Sequence, residues 1–242
     1  KDAQEAVEVA TVKYARDIVA GKGTQAQKFN SLLQVYNNQP TLNIDTSTSA
    51  NQQAYSTPLP MAYLATIAAE TNKGRVFEPT AGHGALLIAT DTNNARANEL
   101  NEERANRLRG LGFTVDSRDA IDYVENGWIK EKVDAVIMNP PFGTLDQDGR
   151  DKMTERTGYN IQKLDQGLGA ESLRAMKDDG KATIIIGASM APGEIGNQDR
   201  TFFNWLYSHY NVKDHFEIEG ALYRKQGAGW PVRFITIEGR KD

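Results

Sequence analysis

The chain has 242 residues, of which 39% are hydrophobic and 25% are charged, and its formal net charge is -4. This length allows one large domain, or one domain with an extension. No apolar run approaches the roughly 18–20 residues that a membrane span needs. We therefore expect no membrane association. Because no charged-then-apolar signal segment is present, we expect a cytoplasmic protein.

Residue types that bind metals are scarce in this chain. Cysteine is absent, which excludes disulfides, a thiol nucleophile and sulfur-based zinc sites. None of the three histidines has a ligand partner at helical spacing, so we expect no metal site. The net charge does not indicate nucleic-acid binding, but it does not exclude it either, because a local basic face is enough.

Residues 1–50 are predicted to form a helical extension followed by a linker. Apolar residues recur every three or four positions through 3–20, which predicts an amphipathic helix. Thr24 is a suitable N-cap for a second helix. The polar stretch 41–54 predicts an extended linker on the surface. Both helices are expected to pack on the remaining domain, residues 51–242.

Beyond the linker, predicted strands and helices alternate. Strands are predicted at 75–79, 95–100, 114–117, 133–138, 181–187, 212–219 and 233–238. Helices are predicted from Pro60 onward and at 85–89, 102–109, 121–128, 167–176 and 202–210, with a polar loop at 143–163. This order predicts an α/β fold with a mostly parallel sheet and helices on both faces. Ligands of such sheets bind beyond the carboxyl ends of the strands.

The first candidate site is the sequence FEPTAGHG at 77–84, where a predicted strand passes into a helix. Glycine lets the backbone approach a ligand closely, and a helix N-terminus offers free N–H groups. A dinucleotide-binding turn needs a third glycine, which is missing here. Glu78 would repel a pyrophosphate, but it suits the cationic amino-acid part of a ligand. The alternative is a tight turn with a solvated glutamate.

Two more acidic residues follow the next two predicted strands. Glu99 lies about 20 residues beyond the turn, where an acid commonly binds both hydroxyls of a ribose. Asn101 is an alternative partner for the ribose. Asp119 can accept a hydrogen bond from an adenine amino group, and it can also cap the helix that follows it.

The most informative stretch is Asn139-Pro140-Pro141-Phe142, directly after the apolar strand at 133–138. A residue before proline is disfavoured in a helix, and the two prolines stiffen the loop and remove two donors. The Asn139 side-chain oxygen and the Pro140 carbonyl can both accept from one amino group. Such acceptors would localise the lone pair of an amine on a planar ring. Phe142 offers a flat face on which a base can stack.

Together these residues resemble the S-adenosylmethionine-dependent DNA N6-adenine methyltransferases, in the gamma order of motifs, over residues 55 to about 239. The resemblance implies a seven-stranded, Rossmann-like class I methyltransferase fold. It also implies S-adenosyl-L-methionine as cofactor, S-adenosyl-L-homocysteine as product, and a flipped adenine in DNA as the methyl acceptor. The implied catalytic residues are Asn139, Pro140, Pro141 and Phe142. The implied cofactor-binding residues are Tyr55, Thr57, Pro58, Glu78, Pro79, Thr80, Ala81, Gly82, Gly84, Glu99, Leu100, Asp119, Ala120 and Asn139.

The same resemblance suggests how the DNA is bound. The segment LYRK at 222–225 resembles the one that supplies a second aromatic ring for the flipped base, which implies that Tyr223 has this role. Many relatives carry a separate target-recognition domain, which we do not find after Glu238. We therefore expect loose or loop-encoded specificity. The candidate cations are Arg150, Lys152, Arg156, Lys163, Arg224, Lys225 and Arg233. The alternative is solvated charge, since acidic residues lie among those of the 143–163 loop.

A narrower resemblance comes from TSTS at 46–49, QAYSTP at 53–58 and QGAGWP at 226–231. These segments resemble the methyltransferase region of large phage and plasmid proteins in which a Strawberry notch-like helicase domain follows. This implies a bacterial, phage or plasmid origin and an attached helicase or recognition domain. The biological role could be host protection, anti-restriction or regulation.

Other functions are compatible with the same residues. The acceptor tetrapeptide also resembles that of protein-glutamine methyltransferases, and it could serve adenine in RNA. A non-catalytic cofactor-binding module of a larger helicase-containing protein is a third alternative. A nicotinamide-dependent oxidoreductase is disfavoured by the missing third glycine and by the Pro-Pro turn.

Overall fold

The computed structural model describes residues 2–41, 56–189 and 193–242. The strands are β1 (Val76–Glu78), β2 (Ala95–Asn98), β3 (Thr114–Asp116), β4 (Val133–Met138), β5 (Met176–Gly187), β6 (Tyr210–Ile218) and β7 (Val232–Arg240). They form one seven-stranded sheet in the order β3-β2-β1-β4-β5-β7-β6. Strand β7 is antiparallel to both of its neighbours, β5 and β6, and the remaining pairs are parallel. The predicted mostly parallel sheet is confirmed.

The sheet is flanked by seven helices in the described residues. They are α1 (Asp2–Ala20), α2 (Gln25–Asn38), α3 (Leu59–Ala68), α4 (Glu102–Gly110), α5 (Gln147–Thr157), α6 (Leu164–Leu173) and α7 (Asn197–His209). Short 3-10 turns occur at Ala85–Leu87, Ala120–Asp122 and Gly220–Gln226. No helix in these parts of the chain has the length and apolar character that crossing a membrane requires.

Hydrophobic clusters cover both faces of the sheet. One contains buried residues of α1 to α4, such as Val12 and Leu32. The other contains buried residues of α5, α6 and α7, such as Leu168 and Phe202. Helices therefore pack on both faces, as predicted, and the two N-terminal helices share the core of the sheet domain. The division of the chain at residue 50 stays a prediction.

Both N-terminal helices lie where the sequence predicts them. Helix α2 begins with the predicted cap: the Thr24 hydroxyl accepts from the Gln27 N–H at 3.2 Å, and the Gln27 side chain accepts from the Thr24 N–H at 2.9 Å. The linker predicted at 41–54 lies almost wholly in 42–55, outside the described residues. The predicted cofactor contact of Tyr55 lies outside them too.

The prediction of a loop throughout 143–163 was wrong, because α5 lies within it. Asp146 caps this helix by accepting from the Gly149 N–H at 2.8 Å, and Gly158 ends it with a left-handed φ of 77°. Only Gly149 and Met153 are buried on it. A helix this polar has no apolar stripe, so its sequence shows no helical periodicity.

Three other predicted helices differ from the structure. The stretches 85–89 and 121–128 form single 3-10 turns at Ala85–Leu87 and Ala120–Asp122. The second is followed by Gly127, whose φ of 70° turns the chain away from a helical path. The helix predicted to end at Met176 ends at Leu173, because Met176 already pairs with Val133 as the first residue of β5.

Candidate active site

A cavity of about 520 Å³ lies beyond the carboxyl ends of β1 to β4. Most of the predicted site residues line it, and they come from five separate segments. The predicted residues that line the cavity are Thr57, Glu78, Pro79, Thr80, Ala81, Gly82, Glu99, Leu100, Asp119, Ala120, Asn139, Pro141 and Phe142. The predicted residues Pro58, Gly84, Pro140, Arg150, Lys152, Tyr223 and Lys225 are not among the lining residues.

The glycine turn after β1 is shaped by its backbone. Gly82 and Gly84 adopt left-handed φ values of 55° and 90°, which strain other residues. A Cβ atom on Gly84 would lie 2.9 Å from Leu108 Cδ2 of α4. Gly84 therefore permits the close packing of the turn behind the cavity wall, whereas Gly82 lies on the wall itself.

Glu99 holds the glycine turn against the end of β2. Its Oε2 accepts from the Gly82 N–H at 2.8 Å, and its Oε1 accepts from the Asn101 N–H at 2.8 Å. A carboxylate oxygen has further lone pairs, so Glu99 can still accept from hydroxyl groups of a ligand. Asn101 caps α4 by accepting from the Arg104 N–H at 3.1 Å, so its amide oxygen already has a partner in the protein.

Asn98 ties together two segments that border the cavity, a role the sequence analysis missed. Its side-chain nitrogen donates to the carbonyls of Pro79 and Arg118 at 3.0 and 2.9 Å. Its side-chain oxygen accepts from the Arg118 N–H at 3.0 Å. The residue is only 1% exposed. A polar residue at the end of a predicted strand was the one available signal.

The carboxyl group of Glu78 is the most perturbed group of the site. Burial raises its pKa to about 8, and the neighbouring Glu99 charge contributes to the rise. Hydrogen bonds from the Thr80 N–H at 2.9 Å and from its hydroxyl at 3.4 Å act in the opposite direction. Two buried carboxyl groups on one cavity wall favour a ligand that carries positive charge.

The far end of the cavity has mixed polarity. Asp119 caps the 3-10 turn by accepting from the Ile121 N–H at 3.0 Å, which confirms the capping role weighed for it. Leu100 presents an apolar side chain that is 62% exposed. Arg118 also lines the cavity, and its guanidinium lies 3.4 Å from the centre of the Trp128 ring.

Asn139 lies at the other end of the cavity, between two hydroxyl groups. Its side-chain nitrogen donates to Thr57 Oγ1 at 2.9 Å and to the Tyr223 hydroxyl at 3.5 Å. The Tyr223 hydroxyl in turn donates to Met61 Sδ at 3.3 Å. Phe142 lines the cavity beside Asn139. Asn139 and Phe142 therefore lie on the same cavity, whereas Pro140 is not among its lining residues.

Helix α1 contacts this region, which the sequence analysis did not predict. Glu8 Oε2 lies 2.6 Å from His83 Nδ1 of the glycine turn, and it accepts from the Ser56 hydroxyl. Both His83 and Ser56 line the cavity. No group of three or more histidine, aspartate or glutamate side chains that could hold a metal ion occurs within the described ranges.

Several cations predicted to bind DNA are occupied by neighbouring groups. Lys152 forms ion pairs with Asp122 and Asp148, both at 2.8 Å. Arg150 donates to the Leu145 carbonyl and to the Gln147 side chain. Lys152 is therefore bound to the 3-10 turn at Ala120–Asp122 as well as to α5, and neither cation lines the cavity.

The predicted cations near the 3-10 turn at Gly220–Gln226 differ from one another. Lys225 donates to the carbonyls of Asn37 and Gln39 at the end of α2. Arg224 is exposed, and it forms no ion pair with any residue in 2–41, 56–189 or 193–242. Arg224 is therefore exposed and without an ion pair in this part of the chain, whereas Lys225 is bonded to the end of α2.

Comparison with known proteins gives a result only at the level of structure. No protein-family model and no curated protein matches the sequence. The structure is similar to a methyltransferase subunit of a type I restriction-modification system from Streptococcus thermophilus, with a TM-score of 0.61 and 17% identity over 77% of this chain and 44% of that one. It is also similar to a protein assigned as the modification subunit of a type I restriction enzyme from Vibrio vulnificus, with a TM-score of 0.59 and 12% identity over 90% and 51% of the two chains.

A third similar structure matches over nearly the whole length of both chains. It is an O-methyltransferase from Bacillus cereus in complex with S-adenosylhomocysteine, with a TM-score of 0.51 and 13% identity over 97% of this chain and 99% of that one. The chain thus spans about half or less of the two restriction-modification proteins. At these identities the likeness establishes the fold, that of the Rossmann-like class I methyltransferases, and confirms the predicted fold class.

Proposed function

We propose that the chain is an S-adenosylmethionine-dependent DNA methyltransferase that modifies the N6 amino group of a flipped adenine. The observation that carries this proposal is the position of Asn139. Its amide faces a cavity beside Phe142, and among the described residues only its nitrogen has hydrogen-bond partners. The acceptor-rich turn therefore opens on the same cavity as the acidic residues at the ends of β1 and β2.

The cavity fits the cofactor in size and chemistry. A volume of about 520 Å³ lies within the range of small-molecule sites. Glu78 and Glu99 favour a cationic amino-acid group, and Glu99 keeps lone pairs for ribose hydroxyls. Asp119 and Leu100 can contact an adenine ring. When bound, S-adenosylmethionine supplies a methyl group on a positively charged sulfur.

The side chains of this protein act on the amine that receives the methyl group. Asn139 Oδ1 and the Pro140 carbonyl accept from the two N6 hydrogens, and Phe142 stacks on the base. With the cofactor bound, the nitrogen would form a bond to its methyl carbon, the carbon–sulfur bond would break, and that electron pair would stay on sulfur. The positive charge that develops on N6 is stabilised by the two acceptors. One N6 proton then leaves to water.

DNA is the acceptor that the comparisons favour. The two restriction-modification proteins of similar fold are described by their names as methyltransferase or modification subunits. A base must leave its stack to reach such a cavity, and the flat ring of Phe142 supports binding of a flipped base. An attached helicase or recognition domain, loose sequence specificity and a phage or plasmid origin stay predictions.

The test is methyl transfer by the purified chain. Unmodified DNA is incubated with isotope-labelled S-adenosylmethionine, and the nucleosides are analysed by mass spectrometry. We expect labelled N6-methyladenine, and a loss of about 10²–10³-fold in rate for Asn139→Ala, as for removal of one charge-stabilising group elsewhere. Cofactor affinity should change little in this variant.

The same assay separates the alternatives. RNA oligonucleotides and glutamine-containing peptides are offered in parallel with the DNA. Label in RNA or in glutamine, with none in DNA, would contradict the proposed acceptor. Cofactor binding without transfer to any of the three would support a non-catalytic module instead.

A further inference from the structure

We infer that Tyr223 is a positioning residue: with Thr57 it holds the Asn139 amide so that the oxygen, rather than the nitrogen, faces the methyl acceptor. This inference rests on the proposed function, because it concerns how the acceptor amine is held. It gives Tyr223 a role that differs from the stacking role implied by the sequence resemblance.

The donors and acceptors around Asn139 support this orientation. A side-chain amide carries two N–H donors on nitrogen and two lone pairs on oxygen. Two hydroxyl oxygens lie near the nitrogen, Thr57 Oγ1 at 2.9 Å and that of Tyr223 at 3.5 Å. No hydrogen bond to Asn139 Oδ1 occurs within the described residues. Both donors thus have protein partners, whereas the oxygen has none within 2–41, 56–189 and 193–242, so it can accept from a ligand.

The Tyr223 hydroxyl is suited to accept rather than donate at this place. Its own hydrogen is directed to Met61 Sδ at 3.3 Å. Burial raises the pKa of Tyr223, so the hydroxyl stays protonated and neutral. A hydroxyl whose hydrogen points to Met61 presents lone pairs to Asn139. Rotation of the amide by 180° would place the Asn139 oxygen against those lone pairs.

The burial of Tyr223 argues against direct contact with a base. The residue is 2% exposed, and it is not one of the residues that line the cavity. Its hydroxyl contacts Asn139 although its side chain does not line the cavity, whereas Phe142 is on the cavity wall. Of these two rings, the geometry offers that of Phe142 to a base, and it uses Tyr223 through its hydroxyl.

Tyr223→Phe separates the two roles, because it removes the hydroxyl and keeps the ring. We expect the single-turnover rate at saturating cofactor and DNA to fall by about fivefold, the size of one lost hydrogen bond. The Kd for the cofactor should stay within twofold of the wild-type value. Tyr63→Phe is the matched control, since Tyr63 lies on the same helix as Met61 but lines a different cavity.

A stacking role predicts the opposite pattern. If Tyr223 held the base by its ring, Tyr223→Phe would keep the wild-type rate, and Tyr223→Leu would raise the KM for DNA. That pair of results would overturn the inference.

Thr57 is tested with a second pair of variants. Thr57→Val keeps the shape and removes the acceptor, and we expect a single-turnover rate about tenfold below wild type. Thr57→Ser restores the acceptor and should recover most of that loss. If valine lowers cofactor affinity but leaves the saturated rate unchanged, Thr57 does not position Asn139.

A measurement without any methyl acceptor keeps the inference independent of the proposed function. The side-chain NH2 signals of Asn139 in the ¹⁵N-labelled chain are assigned from their absence in Asn139→Asp. We expect slow hydrogen exchange of this group in the wild type and faster exchange in Tyr223→Phe. Equal exchange in both proteins would contradict the inference, even if DNA proved not to be the acceptor.

Discussion

The cavity has a cofactor side, formed at the ends of β1, β2 and β3, and an acceptor side, formed by Asn139 and Phe142. The two sides differ in how many hydrogen bonds within the protein hold their residues in place. On the cofactor side, Asn98 and Glu99 hold the ends of β1, β2 and β3 together through hydrogen bonds to backbone groups. On the acceptor side, Asn139 and Phe142 lie on the cavity, but the nearby cations of α5 are paired with their own neighbours.

This difference indicates which residues should contribute to the binding of cofactor and of DNA. A preorganised wall loses little freedom when a ligand binds, so it can hold a small cofactor tightly. Cations that already have protein partners lose those contacts when they bind a phosphate. The cofactor side should therefore be sensitive to single substitutions, and the α5 cations should not be.

Asn98→Ala, on the cofactor side, should have the strongest effect on stability and on cofactor affinity. Asn98→Ala leaves three backbone groups, of Pro79 and Arg118, without their side-chain partner. We expect the free energy of unfolding to fall by about 3 kcal/mol, and the cofactor Kd to rise at least tenfold. Chemical denaturation and calorimetry measure the two quantities. Asn139→Ala is the control from the acceptor side, and a smaller loss of stability for Asn98→Ala than for this control would contradict the comparison.

The next effect is a pH dependence of cofactor affinity that originates at Glu78. Burial raises the pKa of this carboxyl group to about 8, so it is mostly protonated at pH 7. A cationic ligand favours the ionised form, so binding releases a proton and affinity rises with pH. Between pH 6 and 7 we expect an increase of up to about tenfold, measured by calorimetry. Glu78→Gln should abolish the slope, and a slope that persists in this variant would locate the titration elsewhere.

A smaller effect is expected where α1 meets the cofactor side. Burial alone would raise the pKa of Glu8, but its interactions with His83 and Ser56 outweigh burial and leave the pKa below the usual 4.5. The ionised form is thus favoured in the folded state. This stabilisation is present above pH 4.5 and is lost as the pH falls through the lowered value.

Glu8→Gln should therefore reduce the free energy of unfolding by about 1 kcal/mol at pH 7, and less at low pH. Urea denaturation at several pH values measures this change. Asp17→Asn, an exposed position on the same helix, is the matched control. A deficit that grew toward low pH would show that Glu8 is not held in its ionised form.

The smallest effect is expected on the acceptor side, at Lys152. Because Asp122 and Asp148 already neutralise it, Lys152→Gln should change DNA affinity by less than twofold, as for a contact that DNA does not use. Arg224→Gln should weaken binding and reduce the salt dependence by about one unit of slope. Fluorescence anisotropy over a range of salt concentrations compares the two variants. A larger loss for Lys152 would show that α5 exchanges its partners for phosphates.

Local signals along the chain were enough to predict most of the sheet. Strand β4 lies where its apolar run predicts it, and Thr24 caps α2 as its side chain suggests. The glycine turn and the Asn139 tetrapeptide both fall at strand ends on one cavity. Such features depend on the order of neighbouring residues, because turn chemistry and side-chain periodicity act over a few positions.

Contacts between segments that are distant in the chain could not be predicted from these local signals. Asn139 takes its partners from Thr57 and Tyr223, which lie 82 and 84 positions away in the chain. The polar helix α5 has no apolar periodicity from which it could be predicted. The ion pair of Lys152 with Asp122 joins residues 30 positions apart, so no local pattern predicted it.

The order of residues along the chain was enough to predict which residue types lie at the strand ends, and from them the class of fold and the candidate chemistry. The folded arrangement was needed to show which of these residues are in contact, which charges are paired, and that Phe142 rather than Tyr223 lines the cavity. The physical reason is that hydrogen bonding and burial depend on distances in space, and packing of the helices on the sheet sets these distances.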